Sequence, residues 1–425
     1  MRLFILLALG AAFLAAGFGL GRATAPGPDF SQFTASTPVG NPTDPVALWG
    51  KFTNDLRTAG QQILTTYPRE QEIDNAEALR YLLQQVTASS EAMLMRESGQ
   101  PALLRLGATT FGKWGLDAAD AKYIGAVVDS EGTYRLHGQV GTARLFAVQL
   151  SAQTVPYEGF DEITGDQLRT DADGNFELLI SREKPADWTG NWLRMDPRAT
   201  DLLVREYFRD WKTETPGSYY IERLDGEPSS EPLTLAAAAK LLDNTIGQFY
   251  LRAPQWQERS KQLITYVSNR VAMQKPADGL AANYYGPGWF EVEKDEALLI
   301  EVDPVPAAMW SVQLGNYWWE SIDYLGHTAS YNDSQVATDP DDRVRFVIAH
   351  EDPGLANWLD PAGHTEGMIL FRQLQAQAMM PLEFTLVPVD ELDNHLPPEV
   401  IRVTPQEREE SYAMRRQHAA VRWAP

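Results

Sequence analysis

Residues 168–180 of this chain read LRTDADGNFELLI, and residues 336–348 read VATDPDDRVRFVI, so an acidic turn precedes an apolar strand in both places. Two further pairs of segments repeat in the same order: ARLFAVQL at 143–150 with AAMWSVQL at 307–314, and NWL at 191–193 with NWL at 357–359. Self-similarity at a spacing of 164 to 168 positions predicts a duplicated structural unit of roughly a hundred residues.

Both copies have the pattern of antiparallel β-structure. Short apolar strands alternate with turns rich in Asp, Gly and Pro, which is typical of sandwiches and barrels. Apolar residues at helical spacing, such as Leu79, Leu82 and Val86, precede the first copy, and a similar pattern separates the copies. The sequence predicts a mainly β fold with α: two tandem related antiparallel β-domains, sandwich or barrel like, with helical segments before and between them.

At 425 residues, the chain exceeds the size that one hydrophobic core usually serves. The predicted divisions are a signal peptide or signal anchor over 1–25, a flexible tether over 26–44, a helical region over 45–117, the first β repeat over 118–226, a helical connector over 227–279, the second β repeat over 280–392 and a C-terminal tail over 393–425. The tail contains a predicted helix over 406–418 with charges of both signs. We expect this helix to be exposed, and either to dock or to fray.

Charge and cysteine content limit the classes of partner. A net charge of −22 disfavours nucleic acid, which proteins bind through clustered Lys and Arg. Without cysteine, neither a disulfide framework nor a lipid-bearing thiol is predicted. Met1 and Arg2 precede an uncharged stretch over 3–21, which is typical of a secretory signal. We expect a periplasmic or extracytoplasmic protein, either soluble or anchored in the inner membrane by an uncleaved 3–21 segment.

The second repeat contains three distinctive segments: EALLIE at 296–301, WSVQL at 310–314 and NWLDPAGHTEG at 357–367. Together they resemble the bacterial domain-of-unknown-function family 1214. The resemblance is most specific over 280–390 and weaker over 140–225, which has no counterpart of Gly363 and His364. It implies a β-rich fold, often beside a helical or second β region, and it brings no established activity.

His364 is the strongest catalytic candidate, because flanking glycines allow close backbone approach and Glu366 could orient its imidazole. Arg372 closes an apolar strand and could stabilise an anion, so the three residues would suit a hydrolase or lyase. The alternative for Arg372, and for Arg205 in the first repeat, is a duplicated internal ion pair. The candidate partners are Asp171 and Asp196 in the first repeat, and Asp339 and Asp360 in the second.

A second histidine lies in the long segment after Leu314. If that segment folds back over His364, His327 and either Asp323 or Asp333 could join it in a metal or acid–base site. The spacing itself predicts no metal ligands and no cofactor.

The densest aromatic clusters lie in the second repeat. The candidate ligand-binding residues are Asn357, Trp358, Trp318, Trp319 and Tyr285. Aromatic faces beside amides suit a glycan or another small polar molecule, whereas core packing is the alternative. We interpret the chain as an exported cell-envelope protein that binds such a ligand at the second β repeat. The alternatives are a hydrolase or lyase using His364 with a carboxylate, and a structural or scaffolding protein, so enzymatic activity stays open.

Overall fold

The computed structural model describes residues 44–97, 105–106, 112–152, 158–226, 232–275 and 283–423. The predicted signal peptide or anchor over 1–25, and nearly all of the predicted tether, lie outside these ranges. Within them, no helix has both the length and the apolar character needed to cross a membrane.

The first β-domain is a sandwich with one shared core. Its strands are β1 Arg105–Leu106, β2 Ala121–Val127, β3 Tyr134–Gln139, β4 Leu145–Ala152, β5 Glu158–Thr164, β6 Asn175–Ser181, β7 Asn191–Arg194, β8 Asp201–Tyr207 and β9 Ser218–Arg223. One sheet has the order β1-β2-β8-β4-β5, and the other has the order β7-β6-β3-β9. Val148 and Val204 from the first sheet meet Leu136 and Leu178 from the second, as expected for two inner faces that pack together.

The second β-domain repeats this topology. Its strands are β10 Arg270–Val271, β11 Tyr284–Glu291, β12 Glu296–Val302, β13 Met309–Gly315, β14 Ser330–Asn332, β15 Val344–Ala349, β16 Trp358–Leu359, β17 Glu366–Leu374 and β18 Leu382–Pro388. The sheet orders are β10-β11-β17-β13-β14 and β16-β15-β12-β18, which match the first domain strand for strand. The predicted tandem fold is confirmed. None of the described sheets is closed, so both domains are sandwiches and not barrels.

Helices cover the outer face of the five-stranded sheet of the second domain. They are α1 Pro45–Thr66, α2 Glu72–Glu97, α3 Leu235–Arg252 and α4 Gln257–Tyr266. The Asp44 carboxylate caps α1 by accepting the amide of Val46 at 2.9 Å. One core joins the helices to the sheet and includes Ile63, Tyr81, Phe249, Trp289 and Met368. Because this sheet is covered on both sides, every residue of β13 is buried.

Asn191 and Asn357 make the same three hydrogen bonds in the two domains. Asn357 donates from Nδ2 to the carbonyl oxygens of Ala337 and Arg345 at 2.8 and 3.1 Å, and it accepts the amide of Ala337 at 2.8 Å. Asn191 makes equivalent bonds with two residues of the first domain. In each domain, the asparagine side chain therefore joins the segment that precedes the acidic turn to the strand that follows the turn. This shared requirement explains why NWL occurs twice.

The two five-stranded sheets contact each other through equivalent residues. An apolar cluster at the domain junction contains Leu145 and Tyr207 from the first domain and Met309 and Leu374 from the second. Leu145 lies opposite Tyr207 in its sheet, and Met309 lies opposite Leu374 in the corresponding register. Each domain therefore offers the same patch to the other.

The arginines near the C-terminal ends of β8 and β17 bind glutamines. Arg205 donates to Gln149 Oε1 and Arg372 donates to Gln313 Oε1, each at 2.8 Å. Arg372 also donates to the carbonyl oxygen of Leu116. A neutral amide and a backbone carbonyl are the hydrogen-bond partners of this buried guanidinium.

For Arg372, the predicted ion pair with Asp339 or Asp360 was wrong. Asp339 accepts from Arg345 at 2.8 Å, and Asp360 lies 2.7 Å from His327. The observed partner of Arg372 is the glutamine of a VQL segment. Because this glutamine recurs in both repeats, the sequence could have indicated it.

The C-terminal helix α5, Pro405–Arg422, follows a 3₁₀ helix over Val389–His395 and docks on both domains. It starts with a capping box in which Thr404 and Glu407 bind each other's backbone amides. The expectation of an exposed helix was wrong for its basic face, where the side chains of Arg408, Arg415, His418 and Arg422 are buried.

Two of these arginines bind backbone carbonyls on opposite sides of the junction. Arg415 is fully buried and donates to the carbonyl oxygens of Tyr324 and Ser330 in the second domain at 3.3 and 2.6 Å. Arg422 donates to the carbonyl oxygen of Ala119, next to β2 of the first domain, and lies 4.7 Å from the ring centroid of Trp211. Burial lowers the pKa of both guanidinium groups.

Replacing Arg415 by alanine is expected to lower the free energy of unfolding by about 2 kcal/mol or more, because two buried carbonyl oxygens lose their donor. Arg416→Ala is the matched control, since Arg416 is the next residue of the same helix and is exposed. Urea denaturation of both variants measures the difference. Equal stability of the two variants would contradict a role of the docked helix in holding the junction.

Candidate functional site

His364 lies in a tight loop between β16 and β17. Ala362 and Gly363 adopt positive φ angles of 52° and 90°, and this conformation is strained for a residue with a side chain. The turn is held by Asp360 Oδ1, which accepts the amide of Ala362 at 2.7 Å. As a result, the His364 side chain points inward and is 4% exposed.

Both ring nitrogens of His364 have hydrogen-bond partners. Nδ1 lies 2.8 Å from the carbonyl oxygen of Pro361, and Nε2 lies 2.9 Å from Glu77 Oε2. A carbonyl oxygen only accepts, so Nδ1 carries a proton. Burial disfavours a charged imidazole, but the hydrogen bond and the charge of Glu77 outweigh it, and the pKa of His364 is raised.

The carboxylate partner of His364 belongs to a helix that is 287 residues away in sequence. Asp74 and Glu77 are three positions apart on α2, so they lie on one face of the helix. One ligand atom each from Asp74, Glu77 and His364 lie within 4.8 Å of one another. Burial raises the pKa of Asp74 despite Arg69, which donates to it at 2.9 Å.

Two more contacts join the turn before this helix to the loop. Gln71 Nε2 donates to Thr365 Oγ1 at 2.8 Å. Arg69 binds Glu366, which also accepts from the indole nitrogen of Trp289 at 3.2 Å. The sequence suggested that Glu366 orients the His364 imidazole, but the observed partners of Glu366 are an arginine and an indole, and the carboxylate bound to His364 is that of Glu77.

A third segment contributes the fully buried Glu320. Asn316 Nδ2 donates to Glu77 at 2.7 Å and to Glu320 at 2.8 Å, while Arg80 forms ion pairs with both carboxylates. Burial outweighs these partners and raises the pKa of Glu320, whereas the pKa of Glu77 is lowered, since His364, Arg80 and Asn316 overcome its desolvation. Glu320 Oε1 is buried and has no hydrogen-bond partner among the described residues. We refer to Asp74, Glu77, Glu320, His364, Glu366, Arg69, Arg80 and Asn316 as the His364 cluster.

Arg372, the third predicted catalytic residue, is not part of the cluster. It lies on the same strand as Glu366 but six residues further on, which corresponds to about 20 Å along a strand. Its guanidinium group faces the domain junction, where it binds Gln313 and Leu116.

The predicted aromatic ligand site is covered by the helices. Trp318 is fully buried, donates from Nε1 to the carbonyl oxygen of Asp74 at 2.9 Å and stacks on Tyr81. Trp319 donates to Ser260 Oγ at 2.8 Å and stacks on Trp256 with ring centroids 4.7 Å apart. These rings pack the helical layer against the sheet.

The other three predicted ligand residues are also engaged in packing or backbone contacts. Trp358 is buried and donates from Nε1 to the carbonyl oxygen of Ala349 at 2.8 Å. The amide of Asn357 is bonded to backbone, as described above. Tyr285 is half-buried beside the helical core, and its hydroxyl accepts from Asn283 at 3.3 Å.

His327 forms a second imidazole–carboxylate pair on the neighbouring loop. Its Nδ1 lies 2.7 Å from Asp360 Oδ2, and its side chain is 39% exposed. The hydrogen bond to Asp360 raises the pKa of His327, and the charge of His364 opposes this increase. The segment after Leu314 therefore does fold back toward His364. The structure pairs His327 with Asp360, not with Asp323 or Asp333.

Sequence reasoning missed Asp74 and Glu77, whose carboxylates each place an oxygen within 4.8 Å of a His364 ring nitrogen. The only signal was their i, i+3 spacing on a predicted helix, and many solvated helix faces share it.

Comparisons with known proteins agree with the fold and supply no activity. A family model described as "Protein of unknown function (DUF1214)" matches residues 118–209, which confirms the resemblance to this family. The match lies in the first β repeat, whereas the sequence resemblance was expected to be more specific over 280–390. The solved structure of an uncharacterised protein from Burkholderia cenocepacia has a TM-score of 0.75 at 29% identity and covers 82% of this chain and 99% of that chain.

A solved protein from Vibrio parahaemolyticus has a TM-score of 0.41 at 11% identity, and the match covers 64% of this chain and 90% of that chain. No curated protein matches the chain.

The His327 resonance is expected to titrate above its ordinary pKa of 6.5. Because the folded-state pKa is raised, the pair with Asp360 stabilises the fold below about pH 6.5, and this stabilisation is lost as the pH rises through the folded-state pKa. Asp360→Asn should lower the midpoint in an NMR titration. Glu391→Gln, which changes an exposed carboxylate of the 3₁₀ helix, is the control. An unchanged midpoint in Asp360→Asn would contradict the assignment.

Proposed function

We propose that this is an exported cell-envelope protein that binds a small polar ligand at the His364 cluster, between α2 and the second β-domain. The observation that carries the proposal is the convergence of His364 with Asp74 and Glu77 from a distant helix. The cluster reaches the surface at one side, since the side chain of Arg80 is 50% exposed and that of Glu366 is 22% exposed. A small molecule can therefore approach charged groups that the fold holds in place.

The energetics of the cluster favour a functional role over a purely structural one. A protein gains little stability from buried ion pairs, because the cost of removing charges from water offsets their attraction. Here four carboxylates form ion pairs with two guanidinium groups, Arg69 and Arg80, and with one imidazole. One buried carboxylate oxygen, Glu320 Oε1, has no hydrogen-bond partner in the part of the chain that the structure describes. Unbalanced charge of this kind is more typical of a binding or catalytic site than of a core.

The excess of carboxylates favours a ligand that carries positive charge or donates hydrogen bonds. A glycan could bind through its hydroxyl groups. Stacking on Trp318 or Trp319 would require the helices to move, because their packing covers both rings. The proposed ligand is therefore recognised by charge and hydrogen bonding.

The location in the envelope rests on the N-terminal sequence alone. The uncharged stretch over 3–21 behind Arg2 supports export, and its length would also permit anchoring in the inner membrane. The mass of the protein isolated from an expressing cell distinguishes cleavage from anchoring, because removal of the N-terminal segment lowers this mass.

A second candidate function is that of a hydrolase or lyase. The observation that favours it is the partly exposed pair of His327 and Asp360, in which the carboxylate can orient the ring and hold it charged for general acid catalysis. The buried pair of His364 and Glu77 would then support the loop that carries Asp360. Loss of turnover in both His327→Gln and Asp360→Asn, once a substrate is found, would favour this candidate.

Ligand binding can be tested by thermal stability in the presence of amines, polyols, sugars and small acids, with a metal chelator in every sample. A ligand at a hundred times its Kd stabilises a folded protein by about 2.7 kcal/mol and raises the melting temperature. Glu77→Gln is expected to abolish the shift, because it removes the charge that faces the ligand.

The matched control is Glu72→Gln, since Glu72 is an exposed carboxylate in the first turn of the same helix. A shift that is equal in the two variants would place the ligand elsewhere. No shift with any compound would count against the proposed function.

A further inference from the structure

We infer that Asp74, Glu77 and His364 form a binding site for one divalent transition-metal ion. This inference rests on the proposed function, because it assigns the chemical class of a ligand to the same cluster. The sequence predicted no metal ligands and suggested a metal near His364 only together with His327 and Asp323 or Asp333, so Asp74 and Glu77 are new as donors.

The spacing of the donor atoms supports the assignment. His364 Nε2 and Glu77 Oε2 lie 2.9 Å apart, and all three donor atoms lie within 4.8 Å of one another. Donor atoms around a tetrahedral Zn²⁺ ion, with bonds of about 2.0–2.1 Å, are roughly 3.3 Å apart. The pair of His364 and Glu77 is thus about 0.4 Å closer than two ligands of one ion, so an ion would have to spread these two donors slightly and draw in Asp74, whose donor atom lies within 4.8 Å of both.

The surroundings orient the donors as they do in metal centres. The bond from His364 Nδ1–H to the carbonyl oxygen of Pro361 fixes the tautomer in which Nε2 can offer its lone pair. Metal-binding histidines commonly have such a partner on their second nitrogen. Arg69 and Asn316 hold the two carboxylates at 2.9 and 2.7 Å. The donors therefore need little reorganisation to accept an ion.

Charge and burial provide a second, independent argument. Among the described residues, the four carboxylates of the cluster are in direct contact with only two guanidinium groups. The buried Glu320 shares Arg80 and Asn316 with Glu77, and its second oxygen has no partner within the described ranges. Additional positive charge is what this network lacks.

The donor set selects the class of metal. One imidazole with two carboxylates suits Zn²⁺, Mn²⁺ or Fe²⁺, whereas Ca²⁺ and Mg²⁺ prefer sites made of oxygen alone. Three protein ligands leave at least one coordination position for water or for a polar ligand. A metal ion in the His364 cluster would also provide a binding point for the proposed polar ligand, since the ligand could bind to the ion.

The test uses the full chain, stripped with a chelator, desalted and titrated with Zn²⁺ alone and Mn²⁺ alone. We expect one tightly bound ion per chain by calorimetry and by elemental analysis after gel filtration. Glu77→Gln should weaken binding by more than about tenfold, whereas Glu72→Gln should bind as the unaltered protein does. If Glu77→Gln does not fold by circular dichroism, Asp74→Asn provides the same comparison.

Three outcomes overturn the inference: no bound ion, binding that Glu77→Gln and Asp74→Asn leave unchanged, or binding that Glu72→Gln weakens equally. Every sample of the ligand screen contains a chelator, so that screen tests the polar-ligand site without a metal ion. The two proposals can therefore fail independently of each other. A chelator-resistant shift with an organic ligand, together with no metal binding, would remove the metal and keep the polar-ligand site. Failure of both experiments would remove both.

Discussion

The outer face of the second five-stranded sheet is the constraint on which much of the structure depends. Its residues, including Trp289, Met368 and Leu370, are apolar and must be covered. The helices before and between the β-domains provide this cover, and the first turns of α2 are thereby placed against the loop that carries His364. Hydrophobic burial therefore positions Asp74 and Glu77. The polar cluster lies at the edge of the apolar layer, where charged groups can be held rigidly and still reach the surface.

At the domain junction, buried arginine side chains hold the two β-domains and the C-terminal helix together. Arg415 and Arg422 enter the protein from α5 and bind carbonyl oxygens on the two sides of the junction, and the rings of Trp211 and Phe208 lie against Arg422. Backbone carbonyls and aromatic faces can accommodate a guanidinium group without a carboxylate contact. The same solution is used for Arg372, which binds Gln313 and a carbonyl oxygen. In this protein, arginine is a structural connector as well as a partner for acidic groups.

The sequence predicted features that depend on local pattern and missed those that depend on distant contacts. The duplication was visible because strands, acidic turns and NWL recur in order, and each of these is formed by neighbouring residues. The packing of Trp318 and Trp319 was not visible, because an aromatic pair has the same sequence pattern whether a helix covers it or not. The carboxylate partner of His364 was missed for a similar reason: no local rule selects Glu77 among the acidic residues of a helix 287 positions away.

The contact between the two β-domains uses the same patch of each, with Leu145 and Tyr207 facing Met309 and Leu374. A self-complementary contact of this kind is isologous, as in a two-fold symmetric dimer, although here both halves belong to one chain. Solenoid repeats stack head to tail, so every added unit exposes a fresh surface for the next one. In this chain, the junction between the two β-domains already buries the matching patch of both. A third copy could therefore not pack on either unit through this patch.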